Sequence, residues 1–269
     1  MSTIGHGRLA GRKVLVIGAG CAGEGWGNGK ASAVAYAREG ARIFAVDRDG
    51  AALQRTLAAL AEEGFDAGSA VCDIAGPDGP THAVAAAIEG LGGIDVLHNN
   101  VGIALPGGIL ETSPDDWDTV MNVNLRAMFL TIQSSLPHML AQGHGAIVNV
   151  SSMAGLRWNG YGYLGYSVSK AGVNHLTRMV ALEYADRGIR ANAVMPGKIM
   201  TPMVSRQIVP LHRGSEDFEA ARARTVPMRR MGTAWDVAMA AVFLASDEAS
   251  FITGVCLPVD GGAHCAVPQ

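Results

Sequence analysis

Tyr166-Ser-Val-Ser-Lys170 sets a phenol and an amine four positions apart, so on a helix both project from one face. An ammonium beside a phenol favours the phenolate. The spacing therefore predicts a Tyr166 pKa below its ordinary ~10, within reach of proton transfer near neutral pH. Tyr161 and Tyr163 compete for that role, but Gly165 and Ser167 stand four positions after them. Both are read as aromatic pocket walls. Upstream, IVNVSSM (147–153) carries Ser151 and Ser152 just past an apolar run. A hydroxyl there can hydrogen-bond the same substrate oxygen that Tyr166 protonates; Ser152, 14 positions before Tyr166, is the expected anchor and Ser151 the alternative. In NVNL (122–125), Asn122 and Asn124 interrupt a helical stretch although Asn is a poor helix former. An asparagine there could hold a helix bulge and a water near Lys170.

A glycine-rich segment, GAGCAGEGWGNGK (18–30), follows the apolar run VLVIG (14–18). Gly18–Gly23 fits GxGxxG, a pattern that lets backbone N–H groups approach a pyrophosphate at a helix N-terminus. A helix begun at Glu24 would contain three glycines in six residues, each costing ~1 kcal/mol against Ala. The helix is therefore expected near Gly29, after a lengthened loop. Gly18 makes the turn, Gly20, Gly27, Asn28 and Gly29 approach the cofactor, and Glu24 turns to solvent. Asp47 ends the next apolar run, 18 residues after Gly29. A carboxylate there accepts hydrogen bonds from ribose hydroxyls and repels a 2′-phosphate, which favours NAD over NADP, although Arg48 could partly neutralise it. Asp73-Ile74 and HNNVG (98–102) close two further runs. Asp73 could meet an adenine amino group and Asn99 could tie loop backbones together, with Ile74, Asn100, Val101 and Gly102 as further cofactor contacts.

These groups need a frame that gathers them. Short apolar runs at 14–18, 42–47, 68–73, 94–99, 146–151, 189–194 and 254–259 read as strands buried on both faces of a parallel sheet. Helical candidates alternate with them at 30–39, 50–63, 78–90, 114–141, 163–186 and 234–246. Ser113 before Pro114 is a good helix start. The alternation implies an α/β fold: a doubly wound, Rossmann-type, mainly parallel seven-stranded sheet with helices on both faces, in a single domain. Residues 198–232 break the rhythm, with Pro202, Pro210 and Pro227 among clustered arginines. They read as a substrate lid.

Of the 269 residues, 49% are hydrophobic and 17% charged, against ~25% charged in an average domain. So little charge implies extensive burial, subunit interfaces included. A formal charge of −3 leaves no basic field for nucleic acid. Residues 127–156 are uncharged, yet Gln133, Pro137, Gln142 and Asn149 speak against a membrane span. Cys21, Cys72, Cys256 and Cys265 lie too far apart for a paired motif or a zinc site, so free thiols and no metal are expected. The start carries no apolar signal segment, and a soluble, cytoplasmic protein is expected.

Taken together and in this order, these motifs resemble the short-chain dehydrogenase/reductase family in its single-domain form. The resemblance runs from Gly11 to Gly262 and includes NNVG for the family's NNAG, NAVMPGKIMT (192–201) and ITGVCLPVDGG (252–262). It implies a tetrad in which Tyr166 is the acid/base, Ser152 anchors the substrate oxygen and Asn124 keeps a relay water. Lys170 would bind the nicotinamide ribose and depress the Tyr166 pKa. Pro196, Gly197, Ile199 and Thr201 would line the nicotinamide, and a homotetramer is implied. Ile17 departs from the family's usual threonine, the glycine loop is longer, and the Ser152–Tyr166 spacing is one residue longer than usual.

Ile103, Ala104, Leu105, Met153, Trp158, Asn159, Tyr161, Tyr163, Met203 and Ile208 are the expected substrate contacts. Most are apolar or aromatic, which favours a hydrophobic or cyclic secondary alcohol or ketone. Asn159, His212 and Arg213 could read a polar substituent, so a sugar or polyol is the alternative substrate. Two other readings compete: a C=C reductase or dehalogenase on the same frame, and a catalytically silent NAD(H)-sensing module.

Overall fold

The computed structural model describes residues 7–158, 160, 162–202, 204 and 218–266. Seven parallel strands form one sheet: β1 (Lys13–Ile17), β2 (Arg42–Asp47), β3 (Ala67–Val71), β4 (Val96–Asn99), β5 (Gly145–Val150), β6 (Ile189–Pro196) and β9 (Cys256–Val259). Their order is β3-β2-β1-β4-β5-β6-β9, so the chain reverses direction across the sheet between β1 and β4. In doubly wound sheets that reversal opens the ligand crevice at the carboxyl edge. The single-domain α/β fold expected from the alternation is the one observed.

The pleat divides the core. Val14 and Val16 of β1 face one apolar cluster, together with α1 (Asn28–Arg38) and α8 (Ala234–Ala245). Leu15 and Ile17 face the other, against α3 (Gly79–Leu91), α5 (Ala127–Gln142) and α6 (Leu164–Tyr184). Alternate side chains on opposite faces, both apolar, are why these runs read as continuous hydrophobic stretches.

Three boundaries differ from expectation. The third run was expected to be buried on both faces, but β3 pairs only with β2 and leaves Val71 64% exposed. An edge strand and a central one share the same apolar signature. The expected helix 114–141 is broken into α4 (Pro114–Met121), one π-helical turn (Asn122–Arg126) and α5. Within 198–232, β7 (Ile199–Met200) pairs in parallel with β8 (Gly232–Thr233), and α7 (Phe218–Arg224) lies between them in sequence.

Candidate active site

A cavity of about 1480 Å³ runs along the carboxyl edge of the sheet. Single-ligand pockets span roughly 300–1,000 Å³, so this one has room for a dinucleotide and a second molecule together.

Its first wall is the glycine loop. Gly27 stands before α1, whose first turn carries no side-chain cap and no acid, so its free N–H groups face the cavity. Gly18 has φ +79°, and a Cβ on Gly29 would stand 1.9 Å from the Gly18 carbonyl oxygen. Only a bare backbone fits there. Thr56 donates to the Ala19 carbonyl at 2.8 Å and Arg55 to the Cys21 carbonyl at 2.7 Å, fastening the loop from α2 (Gly50–Glu62). Trp26 packs on Trp235 of α8 with ring centroids 4.7 Å apart. The extra loop residues are thus anchored outward, and Glu24 is exposed as expected. The Asn28 side-chain oxygen is buried without a hydrogen-bond partner. The naked helix terminus fits a cofactor diphosphate, and the orphaned Asn28 oxygen, an acceptor, fits a donor such as a cofactor hydroxyl.

The next wall holds the acids. Asp47 accepts from the Gly20 N–H at 2.8 Å and the Asp49 N–H at 3.0 Å, which holds its carboxylate at the cavity beside Arg48. Asp73, Ile74, Val101 and Gly102 line the same space. Asn99 does not tie loop backbones. Its side chain points into the core, donating to Asn149 and accepting from Thr131 at 3.0 and 2.8 Å. Strand alternation gives the loop contact to Asn100 instead, which donates to the Gly18 carbonyl at 2.8 Å.

At the far wall β5 and α6 converge. A Cβ on Gly155 would fall 2.5 Å from the Lys170 carbonyl carbon, so glycine lets α6 press against the turn after β5. Ser152 lines the cavity with Tyr166, accepting from the Ala154 N–H at 3.1 Å, and its hydroxyl is near enough to the phenol to lower the phenol's pKa. Ser151 donates instead to the Lys170 carbonyl at 3.0 Å, which leaves Ser152 as the hydroxyl beside the phenol. Asn124 is fully buried in the π-helical turn. It accepts from the Ile103 N–H at 2.8 Å and donates to the Ile103 carbonyl and to Ser169 at 2.9 and 3.0 Å. A Cβ on Gly102 would meet Lys170 Nζ at 3.2 Å and Asn124 Oδ1 at 3.7 Å, so amine and amide flank one point.

One expectation is reversed. Burial raises the Tyr166 pKa and outweighs the neighbouring Ser152 hydroxyl, which lowers it. Lys170 Nζ sits 5.8 Å from the phenol ring centre and donates to the Val150 carbonyl at 2.8 Å. Its own pKa is pushed down to about 8 by burial.

Pro196, Gly197, Ile199 and Thr201 line the cavity after β6, and Ala104, Met153, Trp158 and Tyr163 line it opposite. Gly107 bridges to Tyr163 and accepts from the Leu164 N–H at 3.1 Å, clamping these walls together. Asn159, Tyr161, Met203, Ile208, His212 and Arg213 lie outside the described residues. The sequence reading missed Lys198, Arg222, Arg224 and Arg229, which also line the cavity, and Arg157 beside Trp158. For the four within 198–232, clustering in the lid sequence was the one available signal.

The family model described as "Enoyl-(Acyl carrier protein) reductase" matches residues 22–264. A 2,5-dichloro-2,5-cyclohexadiene-1,4-diol dehydrogenase from Sphingobium indicum is 36% identical over 255 residues, 95% of this chain and 97% of its own. The crystal structure of a short-chain dehydrogenase/reductase from Burkholderia xenovorans superposes with a TM-score of 0.90 at 42% identity, covering 97% of this chain and 99% of that one. A 2-deoxy-D-gluconate 3-dehydrogenase from Agrobacterium tumefaciens with bound NADP gives 0.84 at 35% identity, covering 96% and 98%. The chain belongs to the short-chain dehydrogenase/reductase family. It is an oxidoreductase.

Proposed function

We propose that the protein interconverts a secondary alcohol and a ketone with NAD(H), using Tyr166 as acid/base on a hydrophobic or cyclic substrate. The observation that carries this reading is that Ser152, Tyr166 and Lys170 face one cavity whose opposite wall is a naked helix terminus. When bound, a nicotinamide cofactor supplies the hydride acceptor or donor. Tyr166 exchanges the proton at the substrate oxygen, and Ser152 holds that oxygen in line with it. Lys170 places positive charge at the nicotinamide ribose, and Asn124 fixes the Ile103 backbone and a relay water beside it.

Asp47 supports NAD, because its carboxylate lies where a 2′-phosphate would bring like charge. The NADP-bound Agrobacterium protein makes the coenzyme comparison part of the test. Its name, that of a sugar-acid dehydrogenase, also favours a second reading in which the substrate is a sugar or polyol. The ring diol handled by the Sphingobium relative favours the first. Exposed Phe129, Val168, Met179 and Leu182 on α5 and α6 are consistent with a homotetramer. No described helix is long and apolar enough to cross a membrane. The lid reading of 198–232 rests on its described residues Lys198, Ile199, Thr201, Pro202 and Arg222, which line the cavity.

NAD+ reduction over cyclic, aryl and sugar alcohols, beside a Tyr166→Phe control, tests the proposal. Turnover in wild type that falls by about 10²–10⁴ in the variant, with NADH binding kept, is the expected result. A variant that turns over like wild type overturns it. NADH binding without turnover on any substrate would favour the sensing module.

A further inference from the structure

The cavity is divided by charge. Its carboxylates, Asp47, Asp49 and Asp73, all stand at the ends of β2 and β3, with Arg48 the one described cation among them. Arg157, Lys198, Arg222, Arg224 and Arg229 line it elsewhere, after β5, after β6, on α7 and just beyond α7. Four sheet steps separate β2 from β6, roughly 19 Å at the usual strand spacing. These cations therefore lie far from the acid that faces the ribose.

Lys198 is half-buried, and its pKa is lowered by desolvation and by the charges of Arg222 and Arg157. Its amine donates to the Thr225 hydroxyl. Among the described residues, Arg157, Lys198, Arg224 and Arg229 form no ion pair. Arg229 is also the one described non-glycine residue with a left-handed backbone, φ +55°. A bulky side chain held in that region is maintained against strain, and such positions gather at ligand clamps. Arg229 donates to the Arg224 carbonyl and Arg157 to the Ala266 carbonyl at 3.5 Å. Cations from three segments on one cavity wall, these four with no carboxylate partner among the described residues, make an anion site.

We infer that Lys198, Arg157 and Arg229, with Arg222, form a subsite for a carboxylate on the substrate. The natural substrate is then a hydroxy acid or keto acid whose apolar or cyclic body lies against Met153 and Tyr163. This rests on the oxidoreductase reading for the reacting carbon but not for the anion, which binds whether or not turnover follows.

The test is titration of cyclohexanecarboxylate and of cyclohexanecarboxamide into the NADH-loaded protein, read by nicotinamide fluorescence. The carboxylate is expected to bind about tenfold or more tightly than the amide. Lys198→Gln and Arg157→Gln are each expected to erase most of that preference while NADH affinity holds. Equal binding of the two probes overturns the subsite. So does a preference that survives in the double variant. A parallel loss of NADH affinity would assign the cations to the cofactor diphosphate, and also overturns it. The NAD+-dependent oxidation of 3-hydroxycyclohexanecarboxylate separates the two proposals. If the carboxylate binds as expected and is never oxidised, the subsite stands and the alcohol–ketone reading falls.

Discussion

Lys170 Nζ donates to the Val150 carbonyl at 2.8 Å, so the amine of the YxxxK pair is tied to the end of β5 rather than to the phenol. The tie explains why proximity in sequence does not depress the Tyr166 pKa. With the phenol's pKa raised by burial, Tyr166 is protonated at neutral pH and ready to donate to a carbonyl oxygen. Ketone reduction should therefore be flat through neutral pH and fall on the alkaline side, whereas alcohol oxidation, which needs the phenolate, should climb with pH. Parallel pH profiles of kcat/KM in the two directions check this. Oxidation that peaks near neutrality would contradict it.

The same buried amine makes stability depend on pH. Lys170 has a pKa of about 8 in the folded chain against 10.5 in the unfolded one. Between those values the unfolded state binds more protons, so stability rises with pH, by roughly 3 kcal/mol in all. Below pH 8 both states are protonated and the cost of the buried charge is fully present. Lys170→Met should thus be at least as stable as wild type at pH 7 while losing activity, and its advantage should shrink toward pH 10.5. Denaturant titrations of the two proteins across that range measure the difference.

His98 works on the acid side. It is fully buried in β4, its Nδ1 hydrogen-bonds Tyr36 at 3.0 Å, and burial pushes its pKa down to about 3. Its stabilisation is present above the unfolded value of 6.5. It is lost as pH falls toward 3, by roughly 5 kcal/mol. The double variant His98→Leu/Tyr36→Phe removes the titrating group and its partner together. Its denaturation midpoint should vary less between pH 6.5 and 4 than that of wild type.

Asp47→Ser should lower the NAD preference over NADP by about tenfold or more, since a repelling charge leaves the ribose site. Some NAD affinity should go as well, because the Gly20 N–H loses its acceptor. The ratio of kcat/KM for the two coenzymes, measured on one substrate, reports the change.

Gly29→Ala places a methyl group 1.9 Å from the Gly18 carbonyl oxygen. The loop must shift, and cofactor binding should be lost while far-UV circular dichroism stays native. Retained NADH affinity would show that the loop yields more easily than its fastening by Thr56 and Arg55 suggests.

Local patterns were legible in the sequence because their geometry is local. Tyr166 and Lys170 share a helix turn, and the glycines of 18–29 lie within one loop, so spacing alone placed them. The π-helical turn at Asn124 was foreshadowed by two asparagines in an otherwise helical stretch. What escaped needed either a face or a neighbour. Asn99 and Asn100 are adjacent and identical, and only the phase of β4 decides which side chain enters the core and which reaches Gly18. The exposure of β3 depends on having one partner strand. Lys198 and Arg157 meet only because β5 and β6 are adjacent, and the sign of the Tyr166 shift depended on how deeply the fold buries it.

Trp26 and Trp235, packed at 4.7 Å with their planes tilted by 54° and with Lys30 and Arg38 over their rings, join the glycine loop to α8. Indole emission overlaps the absorption of reduced nicotinamide, so this pair is a built-in donor for energy transfer. Cofactor loading can be followed by ultraviolet emission with no label and no substrate, and Trp26→Phe should dim that signal most.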